Sequence, residues 1–307
     1  MSSAKRWFVI INPTSGNGSS KRKWPKIKAN LVSEGFDFDF AFTEYANHSN
    51  GLVQDAINQQ FKNIICIGGD GTLHNIINGI QNQSSVASSD IHIGVIPIGT
   101  GNDWIKTYNI PLGVKRAISI IKRGLLKSQD LGKIEFLNQD KKATYFNNLA
   151  GIGFDGFVVS KVGKYKFLGS LAYIIGAVVG LFSFKNFYTI ISFNGKEIKT
   201  KSLMVLVGLC KYSGGGMQLT KNPNPDDGLF DVSIAKDLSK FDIVKNLFNL
   251  FNGNIVKHSK VENHKVNCLS IHINSEEHPF IQADGELLGK GNIKLSIIPK
   301  AFSFYSN

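Results

Sequence analysis

Three glycine-rich loops, each following a short apolar run, constrain the fold of this chain more than any other feature. They occupy residues 12–18, 68–72 and 97–103. The central loop, Gly-Gly-Asp-Gly-Thr, follows an apolar run at residues 63–67 and precedes a segment with apolar side chains at helical spacing. Glycine lets a backbone turn sharply and approach a ligand closely. The sequence therefore predicts a strand, a glycine turn and a helix around each loop.

Strands and helices alternate through the first part of the chain. The predicted strands are residues 7–11, 36–42, 63–67 and 91–96, and the predicted helices include 21–31, 51–61 and 114–121, with Pro25 tolerated only near a first turn. This alternation indicates an α/β domain with a Rossmann-like, mostly parallel sheet. Because ligands bind beyond the carboxyl ends of such strands, we expect the three loops to meet at one edge.

The second part of the chain has the pattern of a β-rich domain, which we interpret as a sandwich. Asn194-Gly195 predicts a hairpin turn, and one short amphipathic helix is expected at residues 243–251. Further strands are predicted at 130–136, 144–149, 189–193, 196–207, 229–235, 266–273, 280–282 and 293–298. The predicted domains are residues 1–127 and 128–298, and residues 299–307 are expected to pack back on the first.

Composition restricts the partners without choosing one. The formal net charge of +12 fits nucleic acid, an anionic membrane surface or a phosphate-bearing substrate. The aromatic residues interleaved with basic ones that nucleic-acid binding needs are not visible, so no nucleic-acid partner is predicted. Three distant cysteines give neither a disulfide framework nor a zinc knuckle. With no export signal recognisable, a cytoplasmic location is expected.

Residues 167–184 are uncharged for 18 positions, the lower limit for a membrane span. Interspersed glycines and serines favour a buried or cleft-lining helix instead. An apolar face that touches lipid is a third possibility, with Lys161, Lys164 and Lys166 meeting phosphates or headgroups. This predicts peripheral attachment to an anionic membrane, not a span.

The central loop suits a phosphate group, since a helix start offers unpaired N–H groups and a positive dipole end. Asp70 would repel a phosphate unless a metal lay between them. The alternative is a tight turn with Thr72 as helix cap. His74, just beyond the loop, is interpreted as a helix-surface residue.

Together these motifs carry a resemblance to a known family. Asn12-Pro-x-Ser-Gly16, residues 68–72 and Pro97-x-Gly-Thr-Gly-Asn-Asp103 occur in the order seen in the diacylglycerol kinase and sphingosine kinase superfamily, and the chain resembles especially its soluble bacterial lipid kinases. Asp130-Leu-Gly132, residues 222–231 and Asp284-Gly-Glu286 extend the similarity over nearly the whole chain.

The resemblance implies transfer of the γ-phosphate of ATP to a lipid hydroxyl, in a cleft between a phosphofructokinase- or NAD-kinase-like domain and the β-rich domain. Phosphoryl transfer needs N–H groups and cations around the phosphates. The implied ATP-binding residues are Asn12, Ser15, Gly16, Gly68, Gly69, Asp70, Gly71, Thr72, Thr100 and Asn102. Lys21, Arg22 and Lys23 are equal candidates for neutralising charge, or form a solvated helix face.

The resemblance also implies Mg²⁺ near Asp70, Asp103 and Asp130, partly through water, since magnesium keeps several waters. Taken singly, these residues are also explained as a turn residue, a helix cap and a strand end. A structural Mg²⁺ is implied in a second acidic segment, the acidic turn at residues 222–229, with Asp226 or Asp227 and the Leu229 carbonyl as ligands. An acidic turn without metal is the equal alternative.

The resemblance assigns the general base to Asp284, with Glu286 as a supporting carboxylate. Taken alone, Asp-Gly is a common hairpin turn. Two other functions share parts of the pattern: an NAD kinase, and a non-catalytic nucleotide or lipid sensor. A homodimer is a further possibility. The acceptor lipid, whether diacylglycerol or another lipid alcohol, is not encoded in any motif.

Overall fold

The computed structural model of the protein describes residues 5–162, 184–276 and 278–307. The chain divides into two compact units. The first comprises Met1–Gln129 and Lys300–Asn307, and the second comprises Asp130–Pro299. The predicted helix at residues 167–184 lies almost wholly outside the described residues, as do Lys164 and Lys166. None of the described helices has the length and apolarity needed to cross a bilayer.

The first unit is an α/β domain. Its elements are β1 (Arg6–Ile11), α1 (Ser15–Ser33), β2 (Asp37–Phe42), α2 (His48–Asn58), β3 (Asn63–Gly68), α3 (Asp70–Gln81), β4 (His92–Pro97), α4 (Asp103–Thr107) and α5 (Val114–Arg123). The strands pair in parallel in the order β2-β1-β3-β4. The predicted parallel sheet is confirmed.

The core of this unit forms where α1 and α5 cover the sheet. Trp7, Trp24, Leu31 and Ile118 belong to one buried cluster, with apolar side chains of β3 and β4 beside them. Every residue of β3 is buried, as expected for a central parallel strand covered on both faces. Pro25 lies well inside α1 instead of near its first turn. Residues 16–18 are left-handed, so the regular part of α1 starts only after them.

The second unit is β-rich. Its strands are β5 (Leu126–Phe136), β6 (Thr144–Phe146), β7 (Leu149–Gly153), β8 (Phe187–Phe193), β9 (Lys196–Gly208), β10 (Phe230–Lys236), β11 (Val261–Val266), β12 (Cys268–Ile273), β13 (Phe280–Ala283), β14 (Glu286–Lys290) and β15 (Ile293–Tyr305). Three helices accompany them: α6 (Phe154–Val162), α7 (Lys240–Lys245) and α8 (Leu247–Asn252).

Antiparallel pairing organises this unit around β9. The first part of β9 pairs with β8, and its second part lies between β7 and β10. The Asn194-Gly195 hairpin is confirmed, since Phe193 pairs with Lys196. Three predicted elements are each divided in the structure. The predicted strand at 144–149 is divided at Asn147-Asn148, the strand at 266–273 is divided at Asn267, and the helix at 243–251 is divided at Asn246.

The end of the chain completes the sheet of the first unit. Ser303 and Phe304 in β15 pair in parallel with His92 and Ile93 of β4. The Tyr305 hydroxyl donates a hydrogen bond of 2.7 Å to Asn63 Oδ1. Burial raises the pKa of this phenol to about 12, so the hydroxyl keeps its proton.

Candidate active site

The three glycine-rich loops lie side by side in the first unit. β1, β3 and β4 are neighbours and run in parallel, so their carboxyl ends share one edge. The Asn12 N–H donates to the Ile67 carbonyl at 3.0 Å, and the Ile98 N–H donates to the Gly68 carbonyl at 2.8 Å. The prediction that the loops meet is confirmed.

Close backbone packing between the second and third loops explains why residue 99 is a glycine. A Cβ atom on Gly99 would lie 2.8 Å from the Cα of Gly69 and 2.6 Å from Asn102 Oδ1. Contacts this short exclude any side chain at Gly99. The two loops therefore pack backbone against backbone.

The first loop is held by Asn12. Its Nδ2 donates to Thr72 Oγ1 at 3.1 Å, and its Oδ1 accepts the Thr14 N–H at 3.1 Å. Gly16 and Gly18 follow with positive φ angles of 58° and 77°, a conformation that glycine adopts without strain. The loop thus turns away from β1 while one side chain links it to α3.

The predicted alternative role of Thr72 as a helix cap is wrong. Gly69 occupies the N-cap position of α3, with no side chain capping it. Thr72 is buried instead, with its hydroxyl oxygen accepting the bond from Asn12. His74 is also buried, beside Asn78, so the prediction of a surface position is wrong.

Asp70 bridges the second and third loops. Its Oδ2 accepts the Asp103 N–H at 2.9 Å, and its Oδ1 accepts the Trp104 N–H at 3.3 Å. These donors belong to the first turn of α4, where unpaired N–H groups are expected. Asp103 Oδ1 in turn accepts from Lys106 Nζ at 2.7 Å.

The two carboxylates border the same space. A Cβ atom on Gly101 would lie 3.4 Å from Asp70 Oδ2 and 3.8 Å from Asp103 Oδ2. Oxygen atoms of this kind are the ligands that Mg²⁺ prefers. Asp70 and Asp103 therefore both border the space beside Gly101, where Asp103 is already paired with Lys106.

Cys66 lies in β3, just before the second loop. Burial raises the pKa of its thiol well above the usual range, and the negative charge of Asp70 adds to this. The thiolate is the nucleophilic form of cysteine. Cys66 is therefore a packing residue and not a nucleophile.

Of the three basic candidates after the first loop, Arg22 contacts it. Its Nη1 donates to the Asn17 carbonyl at 3.0 Å and its Nη2 donates to Ser19 Oγ at 3.1 Å. All three side chains are exposed, so these contacts alone distinguish Arg22 from Lys21 and Lys23. The structure thus distinguishes residues that the sequence left equivalent.

Asp284 lies in a two-residue turn between β13 and β14, in the second unit. Ala283 pairs with Glu286, while Asp284 and Gly285 have φ angles of 51° and 84°. The hairpin interpretation of this Asp-Gly pair is therefore correct as geometry, and it places Glu286 at the start of β14. A hairpin turn and a functional carboxylate are compatible.

Backbone groups far away in sequence hold the Asp284 carboxylate. Its Oδ2 accepts the Asn147 N–H at 3.1 Å, and its Oδ1 accepts the N–H groups of Asn148 and Leu149 at 3.0 and 3.1 Å. The Asp284 N–H donates to the Leu149 carbonyl at 2.9 Å. The segment between β6 and β7 thereby fixes the orientation of this side chain.

A second carboxyl supports the same turn. Gln282 Oε1 accepts the Gly285 N–H at 2.8 Å, and Gln282 Nε2 donates a short hydrogen bond to Asp155 in α6. Burial raises the pKa of Asp155 to about 6, and the bond from Gln282 partly opposes this. Sequence reasoning missed both residues: Gln282 is only two positions before Asp284, whereas Asp155 follows β7 and comes near through the pairing of β7 with β13.

Asp130 contacts the acidic turn. Its Oδ2 accepts the Gly228 N–H at 2.7 Å, and its N–H donates to the Pro225 carbonyl at 2.8 Å. Asp130 belongs to the second unit, whereas Asp70 and Asp103 belong to the first. Their grouping around one metal ion stays a prediction.

Within the acidic turn, Asp227 is neutralised by a lysine. Its Oδ1 accepts the Leu229 N–H at 3.1 Å and its Oδ2 pairs with Lys265 Nζ at 2.8 Å. The same ammonium lies 3.5 Å from Asp231, whose pKa burial raises to about 6. This arrangement provides a cation without metal. In the described part of the chain, no three His, Cys, Asp or Glu side chains are grouped to hold a metal ion.

Comparison with known proteins identifies the family. The diacylglycerol kinase catalytic domain model matches residues 6–134, and the YegS C-terminal NAD kinase beta sandwich-like domain model matches residues 148–306. A diacylglycerol kinase of Staphylococcus carnosus is 30% identical over 93% of this chain and 90% of its own length. A diacylglycerol kinase of Bacillus subtilis is 26% identical over 93% and 91%.

A solved structure supports the fold. The crystal structure of a diacylglycerol kinase from Bacillus anthracis superposes with a TM-score of 0.74 and 22% identity, covering 100% of this chain and 98% of that one. Two domain models and a relative at 30% identity together span the chain from the first glycine loop to β15. The chain therefore belongs to the diacylglycerol kinase family of bacterial lipid kinases.

Proposed function

We propose that this lipid kinase transfers the γ-phosphoryl group of ATP to the hydroxyl of diacylglycerol or a related lipid alcohol. The main support is the carboxyl edge of the parallel sheet, where three glycine-rich loops are held together by backbone packing and by Asp70. Such an edge offers N–H groups to phosphates, and phosphoryl transfer depends largely on positioning and on stabilising charge.

Within this proposal the first unit binds the nucleotide. The residues are those of the three loops: Asn12, Ser15 and Gly16 from the first, residues 68–72 from the second, and Thr100 and Asn102 from the third. Arg22, which contacts the first loop, is the basic residue that best neutralises phosphate charge. A guanidinium matches the geometry of phosphate oxygens well.

Magnesium is proposed at Asp70 and Asp103, with Asp130 as the third acidic group. When bound, the ion would neutralise charge on the transferring phosphates. Asp70 also anchors the first turn of α4, so its orientation is fixed before any ligand arrives. A structural Mg²⁺ is proposed at the acidic turn, with Asp226 or Asp227 and the Leu229 carbonyl as ligands. There the ion would compete with Lys265 for the Asp227 carboxylate.

Asp284 is proposed as the general base that accepts the proton of the lipid hydroxyl, with Glu286 supporting it. A base must be oriented toward the hydroxyl it deprotonates. Three backbone hydrogen bonds orient the Asp284 carboxylate. We further propose that the lipid is taken from an anionic membrane surface by an enzyme that does not span it.

The test is labelled γ-phosphate transfer from ATP to a panel of lipid alcohols, with NAD beside them. Transfer to lipid and not to NAD is expected. Asp284→Asn should lower turnover by about 10²- to 10⁴-fold, the usual contribution of a general base. Asp140→Asn, at an exposed turn of the second unit, is the matched control and should keep full turnover.

One further measurement separates chemistry from folding. In Asp284→Asn, the side-chain NH2 group can face the Asn147 N–H, so two donors meet and some stability is lost. ATP affinity and thermal unfolding are therefore measured with turnover, and ATP affinity should remain near that of the wild type. Near-native turnover would contradict the assignment of the base. Phosphorylation of NAD alone would contradict the proposed function.

A further inference from the structure

An exposed apolar face lies on α7 and α8 in the second unit. It consists of Phe241, Val244, Phe248 and Phe251, and we call it the phenylalanine face. Phe241 is 75% exposed and Phe248 is 85% exposed. Phe241 and Val244 on α7, and Phe248 and Phe251 on α8, are each three residues apart, the spacing of neighbours on the surface of a helix. Exposed apolar patches of this kind mark contact sites.

The backbone under this face is anchored. Leu250, on α8, packs against a buried cluster that includes Leu206, Leu219 and Ile255. The Gln218 N–H donates to the Leu250 carbonyl at 2.7 Å, and Gln218 Nε2 donates to the Phe251 carbonyl at 2.8 Å. Phe248 and Phe251 are therefore carried by a helix that is fixed on its inner side.

The charge around the face is positive. Residues 240–260 contain four lysines, Lys240, Lys245, Lys257 and Lys260, and one acidic residue, Asp242. Asp242 accepts from Lys260 Nζ at 2.8 Å, which holds the pKa of that carboxyl well below its usual range. Lys245 and Lys257 are exposed. The only carboxylate in residues 240–260 is thus neutralised, and the segment that carries the apolar rings has a net positive charge.

Apolar rings within a basic segment fit an anionic bilayer. Phenyl groups enter the boundary between headgroups and acyl chains, while lysines remain at the level of the lipid phosphates. A second copy of this chain is a poorer partner, because two copies of one basic segment would repel each other.

We propose that the phenylalanine face is a membrane-docking surface, which inserts Phe241 and Phe248 into anionic lipid. This rests on the proposed function for its purpose, since the acceptor of a lipid kinase lies in a bilayer. It differs from the predicted contact at residues 161–184 and names a separate part of the second unit. Docking here would hold the enzyme at the surface through several turnovers.

Tryptophan reports the insertion directly. The three native tryptophans, Trp7, Trp24 and Trp104, are all buried in the first unit. Phe248→Trp therefore adds one exposed indole, and vesicles of phosphatidylglycerol with brominated acyl chains should quench it. Leu112→Trp, at an exposed position of the first unit, is the matched control and should not be quenched. Equal quenching of both variants, or of neither, would overturn the proposal.

Vesicle sedimentation measures the strength of docking. Phe241→Ser with Phe248→Ser should weaken binding to anionic vesicles by about tenfold or more, as loss of two buried aromatic groups implies. Lys245→Glu with Lys257→Glu should weaken binding at low salt and change it little at high salt. Leu112→Ser should bind as the wild type does. Unchanged binding by the phenylalanine variant contradicts docking.

Transfer assays separate this inference from the proposed function. The phenylalanine variant should keep wild-type turnover on a short-chain, water-soluble diacylglycerol and lose turnover on diacylglycerol in vesicles. If the wild type phosphorylates no lipid while the variant still loses vesicle binding, the proposed function fails and docking stands. If the variant instead dissociates a dimer and binds vesicles normally, the face is a contact between copies and the inference is wrong.

Discussion

The loop edge of the first unit and the Asp284 turn of the second hold their carboxylates by the same means. In both, backbone N–H groups donate to an aspartate. Asp70 receives them from residues 33 and 34 positions later, within two neighbouring strand–helix units. Asp284 receives them from residues 135 to 137 positions earlier. A carboxylate in a local motif can be read from the sequence, whereas the environment of Asp284 depends on distant strand pairing.

The largest effect is expected where the first region depends on close packing. Gly99→Ala places a methyl group against the Cα of Gly69, so we expect the free energy of unfolding to fall by roughly 1–3 kcal/mol. ATP affinity should fall as the two loops separate. Urea denaturation and calorimetric titration with ATP measure the two effects.

The matched control is Gly51→Ala, because a Cβ atom there meets no atom within 4 Å. In the helix α2 this change should stabilise the protein by about 0.5–1 kcal/mol. If Gly99→Ala and Gly51→Ala have the same stability and ATP affinity, backbone contact between Gly99 and Gly69 does not set the geometry of the loop edge.

A smaller effect is expected in the support of the Asp284 turn. The pKa of Asp155 is about 6 in the folded protein, above the usual value for an unfolded chain. The folded state therefore binds more protons between about pH 4 and pH 6, and its stability falls as pH rises through this range. An asparagine at position 155 does not titrate. Between pH 4 and pH 6 the free energy of unfolding of Asp155→Asn should therefore fall by roughly 1–2 kcal/mol less than that of the wild type.

Urea denaturation at pH 4, 5, 6 and 7 tests this difference, with Asp140→Asn as the exposed control. Parallel stability curves for the wild type and Asp155→Asn would show that Asp155 is not the titrating group. A loss of turnover in Asp155→Asn with unchanged ATP affinity would show that the geometry of the Asp284 turn depends on Gln282 and Asp155.

The smallest effect is expected at the side-chain link between the first two loops. Asn12→Ala removes the bond to Thr72 Oγ1, and we expect a loss of about 1 kcal/mol. A double-mutant cycle with Thr72→Val should give a coupling energy of about 0.5–1 kcal/mol. Strictly additive effects would mean that backbone contacts alone join these loops.

Sequence patterns predicted the first unit well because its signals are local. Each glycine loop follows its own strand, and parallel neighbours place the loops on one edge. The patterns failed where burial or pairing decides. His74 was predicted to lie on the surface of a helix, yet it is buried beside Asn78. Residues 266–273 were predicted as one strand, yet Asn267 separates two strands there.

The second unit was predictable as β-rich, but its site was only partly so. Asp284 was found through a motif, whereas Asp155 and Gln282 carry no motif of their own. The role of Asp155 depends on β7 lying between β9 and β13. The phenylalanine face was visible only as a predicted amphipathic helix, because exposure of its apolar side cannot be read from periodicity alone.

The position of residues 300–307 determines when the first unit can finish folding. β4 pairs with β15, which leaves the ribosome more than 200 residues after it. The sheet of the first unit is therefore complete only after the whole second unit has been synthesised, when Phe304 and Tyr305 join its core. Contacts so distant in sequence slow folding. Deletion of residues 300–307 should therefore destabilise the first unit, although most of that unit is formed by residues 1–129.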